Sequence, residues 1–293
     1  MTPTADDLFF LPLGGTGEIG MNLNLYGHDD SWLMVDCGVM FPKPGQTKLS
    51  AGENLEVSRG EPEIQMPDPA FIEARAEKLA GLVITHAHED HIGAVAYLWP
   101  KLRCPVYCTR FTAEVLSKKL SEHGLVTSVP VIVTEVGDRV QIGRFEVEFL
   151  NLTHSIPDPN CLMFRTPVGS VFHTGDWKLD PDPVVGAGVA KQTFERLGEE
   201  GVVAMVCDST NATVAGHSLS EGQLYAGLHH YIESAPGRVV VACFGSNIAR
   251  LVTLARVAAQ TGRYMGLYGR SLITMKQCAK RADVWPKEAV VSE

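Results

Sequence analysis

The chain has 293 residues, of which 45% are hydrophobic and 20% are charged, and its formal net charge at pH 7 is -9. This length exceeds that of one ordinary domain, and the composition excludes a disordered, collagen-like or low-complexity chain. Its longest apolar runs are shorter than the roughly 18 residues that a membrane span needs, and its seven cysteines are scattered, so we expect a globular protein of the cytoplasm with reduced thiols and no membrane partner.

The first two thirds of the chain alternate short β-type runs with helical patterns. Apolar runs predict strands over 8–13, 32–36, 82–85, 131–133, 161–165 and 170–174, with a hairpin over 139–151. Apolar residues at helical spacing predict helices over 71–79, 93–102, 111–123 and 191–197. Residues 42–69, rich in proline and acidic side chains, predict a long acidic loop.

The pattern changes after residue 201. Apolar runs of the parallel-strand type over 202–207, 239–244 and 264–267 alternate with predicted helices over 220–234, 248–261 and 272–282. We therefore predict a domain boundary between residues 205 and 206. This last third carries nine Lys and Arg against six Asp and Glu, and all nine cations lie from Arg238 onward. They form either solvated helix faces or a surface that follows a phosphate backbone.

The strongest chemical signal is the segment VITHAHEDHIGA. A buried-type strand that ends at Thr85 is followed within six residues by His86, His88, Asp90 and His91, directly before a helix. A lone histidine is usually a core or surface group, whereas imidazole and carboxylate donors at this density are typical of a site for a divalent cation. The hard oxygen of Asp90 beside His91 favours two ions about 3.5 to 4 Å apart.

Two further strand ends extend this set of ligands. His154 in LNLTHSIPD and Asp176 in VFHTGDWKLD each follow a predicted strand, so we expect their loops to converge on the first motif. Asp176 is the candidate bridging carboxylate. His173 lies inside its strand and is assigned to the core or to support of a ligand. Asp36 ends another strand and is either a cap or a carboxylate that orients a ligand histidine, of which we favour the second.

These motifs resemble the metallo-β-lactamase superfamily, and the segments around them resemble the ribonuclease J family of its β-CASP group. THAHEDHIGA, His154 and Asp176 carry the first resemblance. The second is carried by LPLGGTGEIGMNL, MVDCGVMFP, LSEHGL, DSTNA, SNIAR and GRS, in that order along the chain. The resemblance implies an α/β protein in which a metallo-β-lactamase αββα sandwich over 1–205 is followed by a partial β-CASP domain over 206–293.

The resemblance also implies a zinc-dependent ribonuclease that hydrolyses RNA in the 5'-to-3' direction and internally. In the family's pattern His86, His88 and His154 hold one zinc, Asp90 and His91 hold the second, and Asp176 bridges them, with manganese or magnesium as alternative metals.

The expected catalytic residues are Asp90, Asp176 and Asp208, the last in the DSTNA motif. Ser246, Asn247 and Arg270 match residues near a pocket for the 5'-monophosphate of RNA, although the first two also suit a helix N-cap.

The chain departs from the family's pattern in several places. No histidine follows Arg270, whereas family members supply the last ligand of the second metal from a later histidine-rich segment, so we expect an N-terminal part of such an enzyme with an open second site. The loop over 46–64 is longer and more acidic than the family's, and His217 is a candidate for the missing ligand. Hydrolysis of a small ester or lactam, RNA binding without turnover, and association with a second copy of the chain remain open.

Overall fold

The structure is a computed structural model that describes residues 1–41 and 64–292. The predicted acidic loop lies almost entirely outside the described residues. One sheet has six strands, which lie in the order β1 (Phe9–Gly14), β2 (Leu23–His28), β3 (Ser31–Val35), β4 (Leu79–Val83), β5 (Val106–Thr109) and β6 (Val131–Thr134). A second sheet has five strands, in the order β7 (Arg139–Ile142), β8 (Phe145–Asn151), β9 (Asn160–Thr166), β10 (Gly169–His173) and β11 (Ala204–Val206).

Strand direction brings several chain segments to one edge of the two sheets. In the first sheet β1, β2 and β3 pair antiparallel, whereas β3 to β6 run parallel. The second sheet is antiparallel except for the parallel pair of β10 and β11. Parallel strands end at the same edge of a sheet, so the segments that follow β3 and β4 emerge side by side.

From Trp32 to Val35 the strand β3 is apolar, because both of its faces are buried. Leu33 and Val35 lie in the apolar layer between the two sheets, whereas Trp32 and Met34 lie in the cluster between the first sheet and the helices. A strand buried on both faces appears in sequence as a continuous apolar run, not as an alternating one. This explains why the run over 32–36 predicts β3 correctly.

Eight α-helices are present in the described part of the chain: α1 (Ala70–Glu73), α2 (Glu89–Ile92), α3 (Val95–Leu102), α4 (Arg110–Glu122), α5 (Lys191–Glu200), α6 (Leu224–Ser234), α7 (Ile248–Gln260) and α8 (Arg270–Arg281). Helices α3, α4, α7 and α8 contribute to the cluster on the outer face of the first sheet, and α5 packs on the second sheet through Leu197. The predicted helix–sheet–sheet–helix sandwich is confirmed.

Two strands predicted for the last third are wrong. In the described structure residues 239–244 and 264–267 form no strand, apart from an isolated bridge between Gly266 and Ser292. Val240 is 86% exposed and Phe244 is 85% exposed. A strand needs a hydrogen-bonded neighbour, and an apolar run does not reveal whether one exists.

The helix predicted over 71–79 is also wrong in its length. It is reduced to α1 and a single 3-10 turn at Ala76–Lys78, because the chain enters β4 at Leu79, which pairs with Trp32. The sequence patterns missed β2 and β5. Asn24 and Gly27 interrupt the apolar residues of β2, and β5 has only four residues.

Candidate metal centre

The end of β4 delivers four of the predicted ligands, His86, His88, Asp90 and His91. The chain stays extended as far as His88, and α2 then begins at Glu89 as a single helical turn. One turn of helix has almost no stability of its own, so its position depends on its neighbours.

Backbone groups just before β2 and just after β3 hold this turn in place. The Cys37 amide donates to the carbonyl of His91 at 2.7 Å, and the Asn22 amide donates to the carbonyl of Asp90 at 3.0 Å. A Cβ atom on Gly38 would lie 1.6 Å from the same Asp90 oxygen, so only glycine permits this approach. The position of Asp90 and His91 is therefore fixed from outside their own helix.

The structure brings the predicted ligands into two overlapping groups. The donor atoms of His86, His88 and His154 lie within 4.8 Å of one another, and so do those of His86, His91 and Asp176. Asp176 reaches both groups, since its Oδ1 is 3.3 Å from Nε2 of His91 and its Oδ2 is 3.8 Å from Nε2 of His154. This is the placement expected of a bridging carboxylate.

Asp90 and Asp208 border these groups. Oδ2 of Asp90 lies 3.5 Å from Nε2 of His91. Asp90, Asp176 and Asp208 line one cavity of about 300 Å³. His91, Asp176 and Asp208 also line a larger cavity of about 620 Å³, whose wall includes the apolar side chain of Phe10. Several carboxylates thus face the space that a substrate would enter, and a polyanion could approach them only if cations offset their charge.

Three of the histidines are held in the neutral form. Burial, followed by the three neighbouring histidines, lowers the pKa of His86 well below its usual value. Burial and then His154 lower the pKa of His88 to about 4. Burial also lowers the pKa of His154, against the opposing charge of Asp176. A neutral imidazole offers the lone pair that a metal ion binds, so this donor set fits a divalent cation.

His91 and Asp176 behave as an ion pair. Burial alone would lower the pKa of His91, but Asp36 and hydrogen bonds to nearby carboxylates raise it well above its usual value. Burial alone would raise the pKa of Asp176, but the hydrogen bond and charge of His91 bring it to about 2. A divalent ion would take the place of the proton that these two groups share.

Buried polar groups lie directly behind the ligands. Oδ2 of Asp36 accepts a hydrogen bond from Nδ1 of His91 at 2.8 Å, and Oδ1 accepts from the Thr85 amide at 2.8 Å. Asp36 therefore makes the contact expected of an orienting carboxylate. His173 is buried inside β10, where its Nδ1 lies 2.8 Å from the hydroxyl oxygen of Tyr26.

Sequence reasoning missed two residues that contact this centre. The amide side chain of Asn22 donates to the carbonyl of Asp90 at 3.1 Å and lies 3.2 Å from Nε2 of His91. The hydroxyl of Thr85 lies between Asp36 and His86. Neither asparagine nor threonine is a common zinc ligand, so the sequence gives no signal for them. Only the tertiary fold reveals these contacts.

The residues predicted to receive a 5'-phosphate lie at the start of two helices, α7 and α8. Asn247 caps α7, because its Oδ1 accepts a hydrogen bond from the Arg250 amide at 2.9 Å. The loop that holds Ser246 contacts the start of α8, which carries the exposed side chain of Arg270. Asn247 thus fulfils the capping alternative. His217 is exposed and belongs to neither group of ligands found in the described residues.

Some cations of the last third form ion pairs and others do not. Arg250 pairs with Glu221, and Arg256 pairs with Glu288. Within residues 1–41 and 64–292, no ion pair engages Arg238, Arg270, Lys276, Lys280 or Lys287. Three of these five cations lie on α8, which leaves that helix with a positive surface.

Both parts of the chain match families of known proteins. Residues 20–233 match the family described as the metallo-beta-lactamase superfamily, and residues 236–288 match the ribonuclease J beta-CASP domain. The chain is 43% identical over 289 residues to ribonuclease J of Sinorhizobium meliloti, which covers 97% of this chain and 49% of that protein. It is 36% identical over 280 residues to ribonuclease J of Mycobacterium tuberculosis, covering 95% of this chain and 47% of that protein. The chain therefore spans about half the length of the curated relatives it matches.

A solved structure supports the fold alone. A protein of unknown function from Enterococcus faecalis V583 superposes with a TM-score of 0.61 at 15% identity, over 92% of this chain and 68% of that one. Among the described residues, none of the helices has the length and apolar character required to cross a bilayer.

Proposed function

We propose that this chain, which belongs to the metallo-β-lactamase superfamily and to its ribonuclease J branch, holds two divalent ions and uses them in the hydrolysis of RNA. The observation that carries the proposal is the position of Asp176, whose two oxygens lie 3.3 Å from His91 and 3.8 Å from His154. One carboxylate within reach of two ligand groups suits a pair of neighbouring ions, as two-metal hydrolases hold them.

The ligand set favours zinc, since imidazole nitrogen is its common partner in proteins. In this proposal His86, His88 and His154 would hold one ion, Asp90 and His91 would hold the other, and Asp176 would contribute to both. Bound divalent ions lower the pKa of water and offset the negative charge of a phosphodiester. Manganese and magnesium are the alternatives to be tested.

The protein's own groups prepare the site for this chemistry. Asp36 accepts a hydrogen bond from Nδ1 of His91 and thereby directs Nε2 toward the ligand cluster. Asp208 is held through its backbone, because its amide donates to Oγ1 of Thr174 at 3.0 Å and its carbonyl accepts from Nε1 of Trp177 at 3.1 Å. We assign the Asp208 carboxylate to proton transfer at the substrate, since it shares the cavity of Asp176. Groups that are already held in place before the substrate binds need not reorganise during the reaction, which lowers its free-energy cost.

The proposed substrate is RNA with a 5'-monophosphate. Ser246 and the exposed guanidinium of Arg270 lie where α8 begins, and a guanidinium binds phosphate oxygens in pairs. The positive surface of α8 would follow the next phosphates of the strand. Binding that weakens in Arg270→Ala for phosphorylated RNA, but not for RNA with a 5'-hydroxyl, would support this assignment.

We also propose a domain boundary near residue 205 and a place in the cytoplasm. The last strand of the sandwich, β11, ends at Val206, and the helices α6 to α8 follow it. All seven cysteines are free thiols, which suits a reducing compartment.

The test is cleavage of end-labelled, 5'-monophosphorylated RNA in the presence of zinc or manganese. We expect cleavage by the parent chain and a loss of at least about 100-fold in His86→Ala and Asp176→Ala, because each removes a metal ligand. His230→Ala is the matched control, since this histidine is exposed on α6.

Equal cleavage by the parent and both ligand variants would refute the proposal. Hydrolysis of a chromogenic β-lactam that His86→Ala abolishes, without cleavage of RNA, would indicate a small-molecule hydrolase. RNA binding that His88→Ala leaves unchanged, with far fewer than two metal ions per chain, would indicate a binding protein.

A further inference from the structure

The hydroxyl of Thr85 lies between a buried carboxylate and a ligand histidine. Oγ1 of Thr85 is 2.9 Å from Oδ2 of Asp36 and 3.0 Å from Nδ1 of His86. Thr85 and His86 are 0% exposed, and Asp36 is 1% exposed. Water therefore does not compete for these contacts, and each polar atom depends on its protein partner.

The chemistry of the three groups fixes the direction of both hydrogen bonds. A carboxylate only accepts, so the Thr85 hydroxyl donates its single proton to Asp36. The hydroxyl oxygen can then only accept from Nδ1 of His86, which must carry a proton. Nε2 of His86 is left with a free lone pair, and it is this atom that faces Nδ1 of His88 at 3.0 Å.

Asp36 acts on His91 in the same way, but directly. Oδ2 of Asp36 accepts from Nδ1 of His91 at 2.8 Å, whereas Oγ1 of Thr85 is farther from that nitrogen, at 3.4 Å. One carboxylate is thus connected to a histidine of each ligand group, to His91 by contact and to His86 through a hydroxyl.

We propose that Thr85 is a positioning residue that links Asp36 to His86 through its hydroxyl. One buried carboxylate would then set which ring nitrogen carries the proton on one ligand of each metal, His86 and His91. The inference rests on the proposed metal centre. A partner behind a ligand histidine fixes its tautomer and its ring orientation. Here one partner would fix two rings, and the affinities of the two sites would depend on one side chain.

The backbone and Cβ of Thr85 are held in place by the second sheet and by the segment before Asp176. The carbonyl of Thr85 accepts from the Asn160 amide at 3.1 Å and from Nδ2 of Asn160 at 2.7 Å, which ties its backbone to the second sheet. A Cβ on Gly175 would lie 3.1 Å from Cβ of Thr85, so the segment before Asp176 also packs against it. The position from which the hydroxyl reaches Asp36 and His86 is therefore fixed by contacts on both sides of Thr85.

The decisive variant is Thr85→Val, which keeps the shape of the side chain and removes the hydroxyl. Nδ1 of His86 then has no acceptor, whereas Nε2 still faces Nδ1 of His88. We expect the proton of His86 to move to Nε2, the atom that should bind the metal. Thr85→Ser retains a hydroxyl and should restore the parent behaviour. Thr253→Val, at a buried threonine of α7, is the matched control.

Two measurements test the proposal. In metal-free protein, long-range ¹⁵N–¹H correlation of the His86 ring, assigned with His86→Gln, should show the proton on Nδ1 in the parent and on Nε2 in Thr85→Val. Zinc titration against a chromophoric chelator should show that Thr85→Val weakens the tighter site by about 10- to 100-fold, the usual effect of losing such a partner. Thr85→Ser and Thr253→Val should match the parent.

The outcomes separate this inference from the proposed function. A parent chain that takes up no zinc would refute the metal centre itself. A parent that binds zinc but carries the His86 proton on Nε2 would refute only the role of Thr85, whether or not Thr85→Val folds. The role of Thr85 would also be refuted if Thr253→Val loses as much zinc affinity as Thr85→Val, because the effect would then come from packing.

Discussion

Acidification should destabilise the metal-free protein, and the contribution of His173 can be isolated. Burial lowers the pKa of His173 to about 4, although the charges of Asp36 and Asp176 act in the opposite direction. In the unfolded chain a histidine titrates near a pKa of about 6.5. Between these two values the unfolded state binds a proton that the folded state does not. The contribution of neutral His173 to the free energy of unfolding is therefore fully present above pH 6.5, and it is lost as the pH falls toward 4.

The two pKa values set the size of this effect. Between pH 7 and pH 4.5, His173 alone should reduce the free energy of unfolding by roughly 2 to 3 kcal/mol. The pKa values of His86, His88 and His154 are lowered as well, so the metal-free chain as a whole should lose more.

The assay is urea unfolding at a series of pH values in the presence of a chelator. His173→Gln keeps a hydrogen-bonding group beside Tyr26 but does not titrate, so its free energy of unfolding should fall by roughly 2 to 3 kcal/mol less than that of the parent over the same range. His230→Gln, at an exposed position, should follow the parent. Parallel curves for the parent and His173→Gln would show that His173 is not held neutral and would refute the reasoning.

Two other substitutions test the packing around the site. Gly38→Ala places a Cβ 1.6 Å from the carbonyl oxygen of Asp90, so we expect about 1 to 3 kcal/mol of destabilisation and fewer zinc ions per chain, measured by thermal unfolding and metal analysis. Gly188→Ala meets no atom within 4 Å and should change neither quantity, and equal losses in both variants would contradict the argument. Glu148→Ala removes a 5% exposed carboxylate that pairs with arginines of β9 and α5, and should cost about 2 to 3 kcal/mol in urea unfolding. Glu195→Ala breaks only an exposed pair and should cost less than about 0.5 kcal/mol, so similar losses would show that burial of the Glu148 network is unimportant.

The sequence predicted which candidate ligands lie close together, because they are local in the chain or follow strands. His86, His88 and His91 lie within one short segment, and His154 and Asp176 each follow a strand with a clear apolar pattern. Strand ends converge at a sheet edge by simple topology, so no knowledge of side-chain packing was needed.

The contacts that support the ligands could not be predicted in the same way. Asn22 reaches Asp90 from far along the chain, and the need for glycine at residue 38 comes from one close backbone approach. The false strand over 239–244 has the opposite cause, since its apolar residues suggest burial that the described structure does not provide. Such features depend on which segments meet, and local patterns do not encode this.

The six candidate ligands come from three separate places, the turn after β4, the loop after β8 and the loop after β10. Ions shared among them would fasten the two sheets together at an edge where hydrogen bonds between strands do not reach. Such a fastening exists only in the folded chain, so the melting temperature should rise with the concentration of free metal. The side chains proposed to hold the ions for RNA hydrolysis would then also make the stability of the folded protein depend on the cell's supply of metal.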